Sequence, residues 1–539
     1  MDFDYVIVGG GSAGCVMAAR LSEDAQVRVA LVEAGDDNAR ILNRVPTGAA
    51  VHIVNRNRCN WAFESAPQAG LNGRRSYQPR GRGLGGSSVI NAMIYLRGQP
   101  QDYDAWAADG APGWAWNDVL PWFKHSENNE RGASELRGTG GPLNVMDLRS
   151  PNPFGEVFVR AAQEAGFPFN PDFNGPSQEG FGPYQVTQKA GERWTAARAY
   201  LGLARGRQNL VVFTDTLARR IVFEGQRAVG IEAERGGEPL MLRASREVIV
   251  SAGALQSPQL LMASGIGPAA HLAEHGIAMV ADLPVGQNLQ DHCDIIINRR
   301  ADSNELLGLS LPGGLKLARG IGQWHQHRTG VLTSNFAEAG GFLKSRPELE
   351  RPDLQMHFVI GMVDNHNRTW HWGNGMSCHT CALRPFSRGS VRLASSDTRD
   401  APVIDPRFLS DERDLELLVQ GFKLARRIFA QPAFAPVAGA DRSREIYFSQ
   451  VNTDDEIRAA IRAHADTIYH PVGTCRMGSD ERAVVDPQLR VRGVNGLRVA
   501  DCSVMPTLVS GNTNAPAMMI GERAADFIRS ARALERRAA

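Results

Sequence analysis

The chain has 539 residues, too many for one hydrophobic core, so two or more domains with room to enclose a cofactor are expected. Its 43% hydrophobic and 22% charged residues exclude a disordered or fibrous chain, and Lys+Arg 59 against Asp+Glu 58, with no basic block, argues against a nucleic-acid partner. No apolar run reaches the roughly 18 residues of a spanning helix, the acidic start Met1-Asp2-Phe3-Asp4 lacks a signal-peptide n-region, and seven scattered cysteines form no disulfide framework. A cytoplasmic protein with reduced thiols is the expectation.

Tyr5–Val8 reads as a short buried strand, Ala13, Val16, Met17 and Leu21 recur at helical spacing, and Val27–Val32 reads as a second strand. This β-α-β order opens a doubly wound parallel sheet. Gly9-x-Gly11-x-x-Gly14 falls in the strand-to-helix turn, the context that makes the pattern specific. Gly9 allows the turn, Gly11 lets backbone approach a pyrophosphate at the helix N-terminus, and Gly14 lets helix and strand pack closely; Ser12 and Ala13 start the helix beside the phosphates. Glu33, followed by Ala34, is placed to accept from ribose hydroxyls and would repel a 2′-phosphate. These residues leave NAD and FAD both open.

Further along, Leu210–Phe213, Leu217–Phe223 and Ala228–Ile231 read as short strands of a meander inserted in the sheet domain, and Arg246–Ser251 as a return to a buried strand. Residues 300–464 are mixed, with no nucleotide signature. Leu497–Ala500 reads as another buried strand and Pro516–Ala533 as the last helix. The expected architecture is α/β: a doubly wound, Rossmann-like nucleotide domain from 1–155, 206–299 and 465–539, and a substrate domain on a mixed or antiparallel sheet from 156–205 and 300–464.

Gly81-Arg82-Gly83-Leu84-Gly85-Gly86-Ser87-Ser88-Val89-Ile90-Asn91 resembles the first signature of the glucose-methanol-choline oxidoreductase family, and Gly253–Pro258 through Ser264–Gly267 resembles its second. With the opening glycines and His470-Pro471-Val472-Gly473-Thr474-Cys475, the match spans essentially the whole chain in the family's order. The resemblance implies FAD. Gly81–Ser88 offers N–H groups and small side chains that can wrap the pyrophosphate and flavin edge, with Arg82, Gly85 and Gly86 among the contacts and Asn91 and Ala92 at the flavin. Some members attach FAD through a histidine just before this Asn; here the position is Ile90, so non-covalent FAD is expected. The resemblance also puts the backbone of Leu217 at the adenine, and Asp501 with Cys502 beside the pyrophosphate or ribityl chain.

The implied chemistry is oxidation of an alcohol, in which the hydroxyl proton must leave as hydride moves to flavin N5; imidazole is the natural base near neutral pH. His470 resembles the family's catalytic histidine. The second active-site position, His or Asn in the family, falls on Asn512 beside Thr513, with Asn514 as competitor; an amide can orient the substrate oxygen but cannot easily act as base. Asn512–Ala515 would lie at the positive end of the last helix, where negative charge on the reduced flavin is favoured. Cys378-His379-Thr380-Cys381 has metal or redox spacing but no second pair, so no metal is expected. His357, His366, Trp370, His371 and Trp372 could form a wall or lid over the site or a plain aromatic loop, and because Leu354–Ile360 is apolar enough for a sheet strand, His357 could face core or pocket. Judged from Asn60-Trp61 to Pro67 and from Ser334 to Phe342, the sequence resembles bacterial choline-dehydrogenase-like and alcohol or hydroxymethylfurfural oxidase members. Choline-acting members of the family place a carboxylate opposite the quaternary ammonium soon after the stretch that resembles Asn288-Leu289-Gln290-Asp291-His292; here the following strand offers Asn298, Arg299 and Arg300, so the resemblance disfavours a cationic substrate and implies a neutral primary, aromatic or furanic alcohol, with O2 or a quinone or protein as electron acceptor. A hydroxynitrile-lyase-like enzyme, choline dehydrogenase proper and a flavoprotein without turnover are the alternatives; oligomeric state is left open.

Overall fold

The computed structural model describes residues 1–436 and 444–538. Two sheets carry the fold. In the first, Leu210–Phe213, Val29–Val32, Asp2–Val8, Glu238–Val250 and Leu497–Val499 lie side by side and parallel. Val29–Val32 is buried at every position, the pattern of a strand covered on both faces. The opening helix Ser12–Leu21 packs beside the final helix Asn514–Ala538, where Gly521 permits close approach: a Cβ there would sit 2.8 Å from Ala13 O.

The meander differs from the expected one. Leu210–Phe213 is the outer strand of the parallel set, paired with Val29–Val32. The antiparallel meander comprises Thr216–Glu224, Arg227–Arg235 and the first half of Glu238–Val250. That last strand serves both parts because its character changes along its length. Leu242 and Ala244 alternate with exposed residues, whereas Val248–Val250 are continuously buried against Asp2–Val8.

The second sheet is antiparallel and runs Asp466–Thr467, Cys293–Arg300, Gly373–Ala382, Leu354–Val359, Ala337–Leu343, Gly180–Pro183. Cys293–Arg300 lies wholly in it, ahead of the expected boundary at 299/300. Alternation decides what each strand offers. Ile295, Ile297, Met356, Phe358 and Cys378 join the core formed with helices Pro153–Glu164, Glu412–Phe429 and Asp454–His464. His357 and His379, of opposite parity, line a cavity between the two sheets. Cys378 and Cys381, three apart in a strand, therefore point to opposite faces, which explains why their spacing makes no metal or redox pair.

Candidate active site

The cavity has a volume of about 970 Å³ and runs from the opening glycine turn to the second sheet. At its first end Gly9 has φ +104°, and a Cβ there would lie 2.4 Å from Ser251 O. A Cβ on Gly14 would fall 1.9 Å from Gly9 O, so only hydrogen lets the helix sit on the strand. At Gly11 nothing approaches the Cβ position closer than 3.9 Å; that space belongs to the cavity. Among the described residues no side chain caps the helix that follows, so its first N–H groups remain available to a ligand. Ser12 Oγ donates to Asn514 Oδ1 at 2.8 Å, pinning the N-termini of opening and final helices together at the cavity wall.

Glu33 is buried and organises the surrounding backbone. Its Oε2 accepts from Gly10 N at 2.8 Å, and its Oε1 from Gly35 N at 2.8 Å and Gly83 N at 2.9 Å. A carboxylate has about four acceptor positions, so one stays free for a hydroxyl in the cavity it lines. Asp501 similarly accepts from Gly253 N (2.9 Å), Ser257 Oγ (2.5 Å) and Ser503 N (2.8 Å). Ala13, Ala34, Gly86, Asn91, Ala92, Leu217, Cys502 and Thr513 reach the cavity. Gly14, Arg82 and Gly85 do not. Gly85 has φ +95° and donates its N–H to Gly10 O at 2.7 Å, while Arg82 donates to Ala34 O and lies 4.8 Å over Trp61.

The opposite end holds the histidines. His470 Nε2 lies 3.1 Å from Asn512 Nδ2, and its Nδ1 lies 3.0 Å from His292 Nδ1. His292 Nε2 is 2.9 Å from Leu383 O. A carbonyl only accepts, so His292 carries its proton on Nε2 and offers a lone pair at Nδ1. His470 must then donate from Nδ1, which leaves its Nε2 lone pair facing Asn512 and the cavity. Burial first, then His292, His357 and Arg80, hold the His470 imidazolium well below the ordinary histidine value. Burial pushes His292 down to about 4. Asp291 fixes the backbone at this point, accepting from His470 N at 2.8 Å and Thr467 Oγ at 2.5 Å. Gln355 Nε2 donates to Asn512 Oδ1 at 3.2 Å, whereas Asn514 is held by Ser12, so Asn512 is the one that meets His470.

Two family models, both described as GMC oxidoreductase, match residues 3–294 and 385–521. The chain belongs to the GMC oxidoreductase family. It is 48% identical over 98% of its length to an alcohol dehydrogenase [acceptor] of Pseudomonas putida, covering 95% of that protein. It is 44% identical over 99% of its length to the mitochondrial choline dehydrogenase of Homo sapiens, covering 91% of it. Among solved structures, pyridoxine 4-oxidase from Mesorbium loti superposes with a TM-score of 0.87 at 32% identity, over 98% of this chain and 99% of that one.

As a GMC oxidoreductase the chain is an FAD-dependent enzyme acting on CH–OH groups. Its residues fit that cofactor: the open space at Gly11, the uncapped helix start and a cavity continuous with His470 and Asn512 suit a long dinucleotide with its reactive ring among the histidines. Ile90 lines the cavity where covalent members carry histidine.

Two parts of this GMC site escaped sequence reasoning. His292 was visible only as part of a motif, and its role depends on a contact with His470 across 178 positions. Asp294 was passed over in favour of Asn298, Arg299 and Arg300. Arg299 in fact points into the helical layer, donating to Phe429 O and lying 5.2 Å over that ring. Asp294 is buried, and its Oδ2 lies 2.6 Å from His379 Nδ1. His379 lines the cavity, whereas Asp294 does not. Parity two residues after His292 was the available signal. His357, directly opposite His379 on the next strand, lines the cavity, and neither of its ring nitrogens has a hydrogen-bond partner among the described residues. Trp370 and His371 line the mouth, and Trp370 is solvent-exposed.

Proposed function

We propose that this chain oxidises a primary alcohol to the aldehyde, holding FAD non-covalently and using His470 Nε2 as the acceptor of the hydroxyl proton. When bound, FAD supplies the hydride acceptor. The observation that carries the reading is the hydrogen-bond chain Leu383 O, His292, His470, which presents an unprotonated nitrogen to the cavity. The base is pre-oriented, and its lone pair, which accepts from Asn512 Nδ2 at 3.1 Å, exchanges that amide hydrogen for the hydroxyl hydrogen of the alcohol. Asn512 orients that oxygen through its amide, and the paired helix N-termini at Ser12 and Asn514 favour negative charge at their end of the cavity. A neutral substrate is supported by His379, which occupies the hydrogen-bonding position of Asp294 that a cation would otherwise seek. The electrons pass on to O2 or to a quinone-type acceptor.

Anaerobic addition of a panel of primary alcohols to the holoenzyme tests this. Bleaching of the oxidised flavin band is expected; an unchanged band with every alcohol would favour a lyase-like or non-redox flavoprotein. Admitting air then separates an oxidase, which recolours at once, from a dehydrogenase, which needs an added quinone. Acid or heat should release all flavin from the polypeptide, and flavin left on the denatured chain would contradict the role given to Ile90.

A further inference from the structure

The surface helix Leu311–His327 is packed inside out. The residues it buries are Gly313, Gly320 and Trp324. A Cβ on Gly320 would come 2.6 Å from Val331 Cγ1, so the glycine face is what allows the helix to lie close on the chain. Its leucines and isoleucine point outward. Met1 and Leu534 aside, the five most exposed large apolar side chains among the described residues all lie here: Leu311 at 86%, Trp372 at 76%, Trp370 at 73%, Ile321 at 62% and Leu315 at 61%. Trp372 belongs with the helix because it is bridged to Leu309, just ahead of it. The patch is also tied to the active-site cavity. Leu317, Ile321 and Trp370, together with exposed Ile41, Leu42 and Val51 of a neighbouring segment, line that cavity, so the apolar surface surrounds its mouth.

A contiguous exposed apolar patch of this kind signals a partner, and the charges around it indicate which. The helix contains no Asp or Glu. Lys316 is paired with Glu305 at 2.9 Å, whereas exposed Arg319 has no ion-pair partner among the described residues. Arg56 and Arg58, following Val51 on the other rim segment, are likewise exposed and unpaired among those residues. A second copy docked face to face would oppose these cations to themselves. An apolar helix face with cationic flanks and paired tryptophans suits the headgroup and upper acyl region of an anionic bilayer.

We propose that the rim formed by Leu311–His327, Trp370 and Trp372 docks this enzyme on the surface of an anionic lipid bilayer, with the cavity mouth turned toward the lipid. Docking would bring apolar alcohols and lipid-soluble acceptors to the mouth without crossing water. No spanning segment is involved: among the described residues no helix is long and apolar enough to cross a membrane.

The test is co-sedimentation of the holoenzyme with vesicles of phosphatidylcholine and phosphatidylglycerol, at low and high salt, beside pure phosphatidylcholine. Binding to the anionic vesicles, weakened by salt, is expected. Leu311→Ser with Leu315→Ser, two side chains outside the cavity lining, should lower it at least tenfold, and Arg319→Glu should lower it severalfold. The flavin spectrum and far-UV circular dichroism report that each variant is folded. Wild-type protein that stays in the supernatant, or a double serine variant that binds as well as wild type, would overturn the proposal. So would a concentration-dependent dimer that the double variant abolishes while vesicles bind neither protein, because the patch would then be a self-association surface.

Discussion

The two ends of the cavity are built from different material. At the nucleotide end the polar contacts come from backbone: glycines open the space, and the carboxylates of Glu33 and Asp501 hold peptide N–H groups in place. At the other end the chemistry lies in side chains, with His292, His357, His379 and His470 converging from separated segments. The first end is set by a few contiguous turns, so damage there should act on cofactor retention. The second is set by sheet register and by one hydrogen-bond chain, so damage there should act on reaction rate while flavin stays bound.

The sharpest way to break that division is His470→Ala. Flavin reduction by a saturating alcohol should fall about 10²–10⁴-fold with FAD still bound, and stopped-flow rates within a few-fold of wild type would remove His470 from its role. In the wild-type protein the depressed His470 value keeps the base form present as pH falls through 6.5, so reduction should hold there and decline only at lower pH. A rate already halved near pH 7 would contradict the desolvated site.

Glu33→Ala probes the other end. Loss of charge-assisted bonds should weaken FAD binding by about 1.5–3 kcal/mol, with near-normal reduction in molecules that keep the cofactor; an unchanged FAD dissociation constant would mean the carboxylate is dispensable. His292→Leu removes the acceptor for His470 Nδ1–H and should slow reduction about tenfold. His292→Gln, whose amide oxygen can accept the same proton, should recover most of the rate, and a failure to recover would argue for packing rather than proton placement. The smallest effect is expected for His379→Phe, about threefold in KM with kcat unchanged for a simple alcohol; a fall in kcat instead would put His379 in the proton transfer.

Local sequence was enough for everything that a short stretch of backbone can specify. The Gly9–Gly14 turn, the strand pair around it, the loop at Gly81–Ser88 and the absence of histidine at position 90 follow from residues a few places apart, because turn geometry and helix starts are short-range properties. The strand read at Leu354–Ile360 was legible too, but not which way His357 faces. That required the register of Gly373–Ala382 beside it and the helical layer behind, since a shift of one residue would reverse every side chain. The same physics moved Leu210–Phe213 out of the meander: an apolar four-residue strand carries no mark of its partner, and only the free edge of Val29–Val32 decided it. Composition, motif order and the cofactor class were thus determined by the sequence alone. The proton on His470, the pairing of Asp294 with His379 and the apolar rim were decided by tertiary structure, because each depends on groups brought together by sheet register and packing over long separations in the chain.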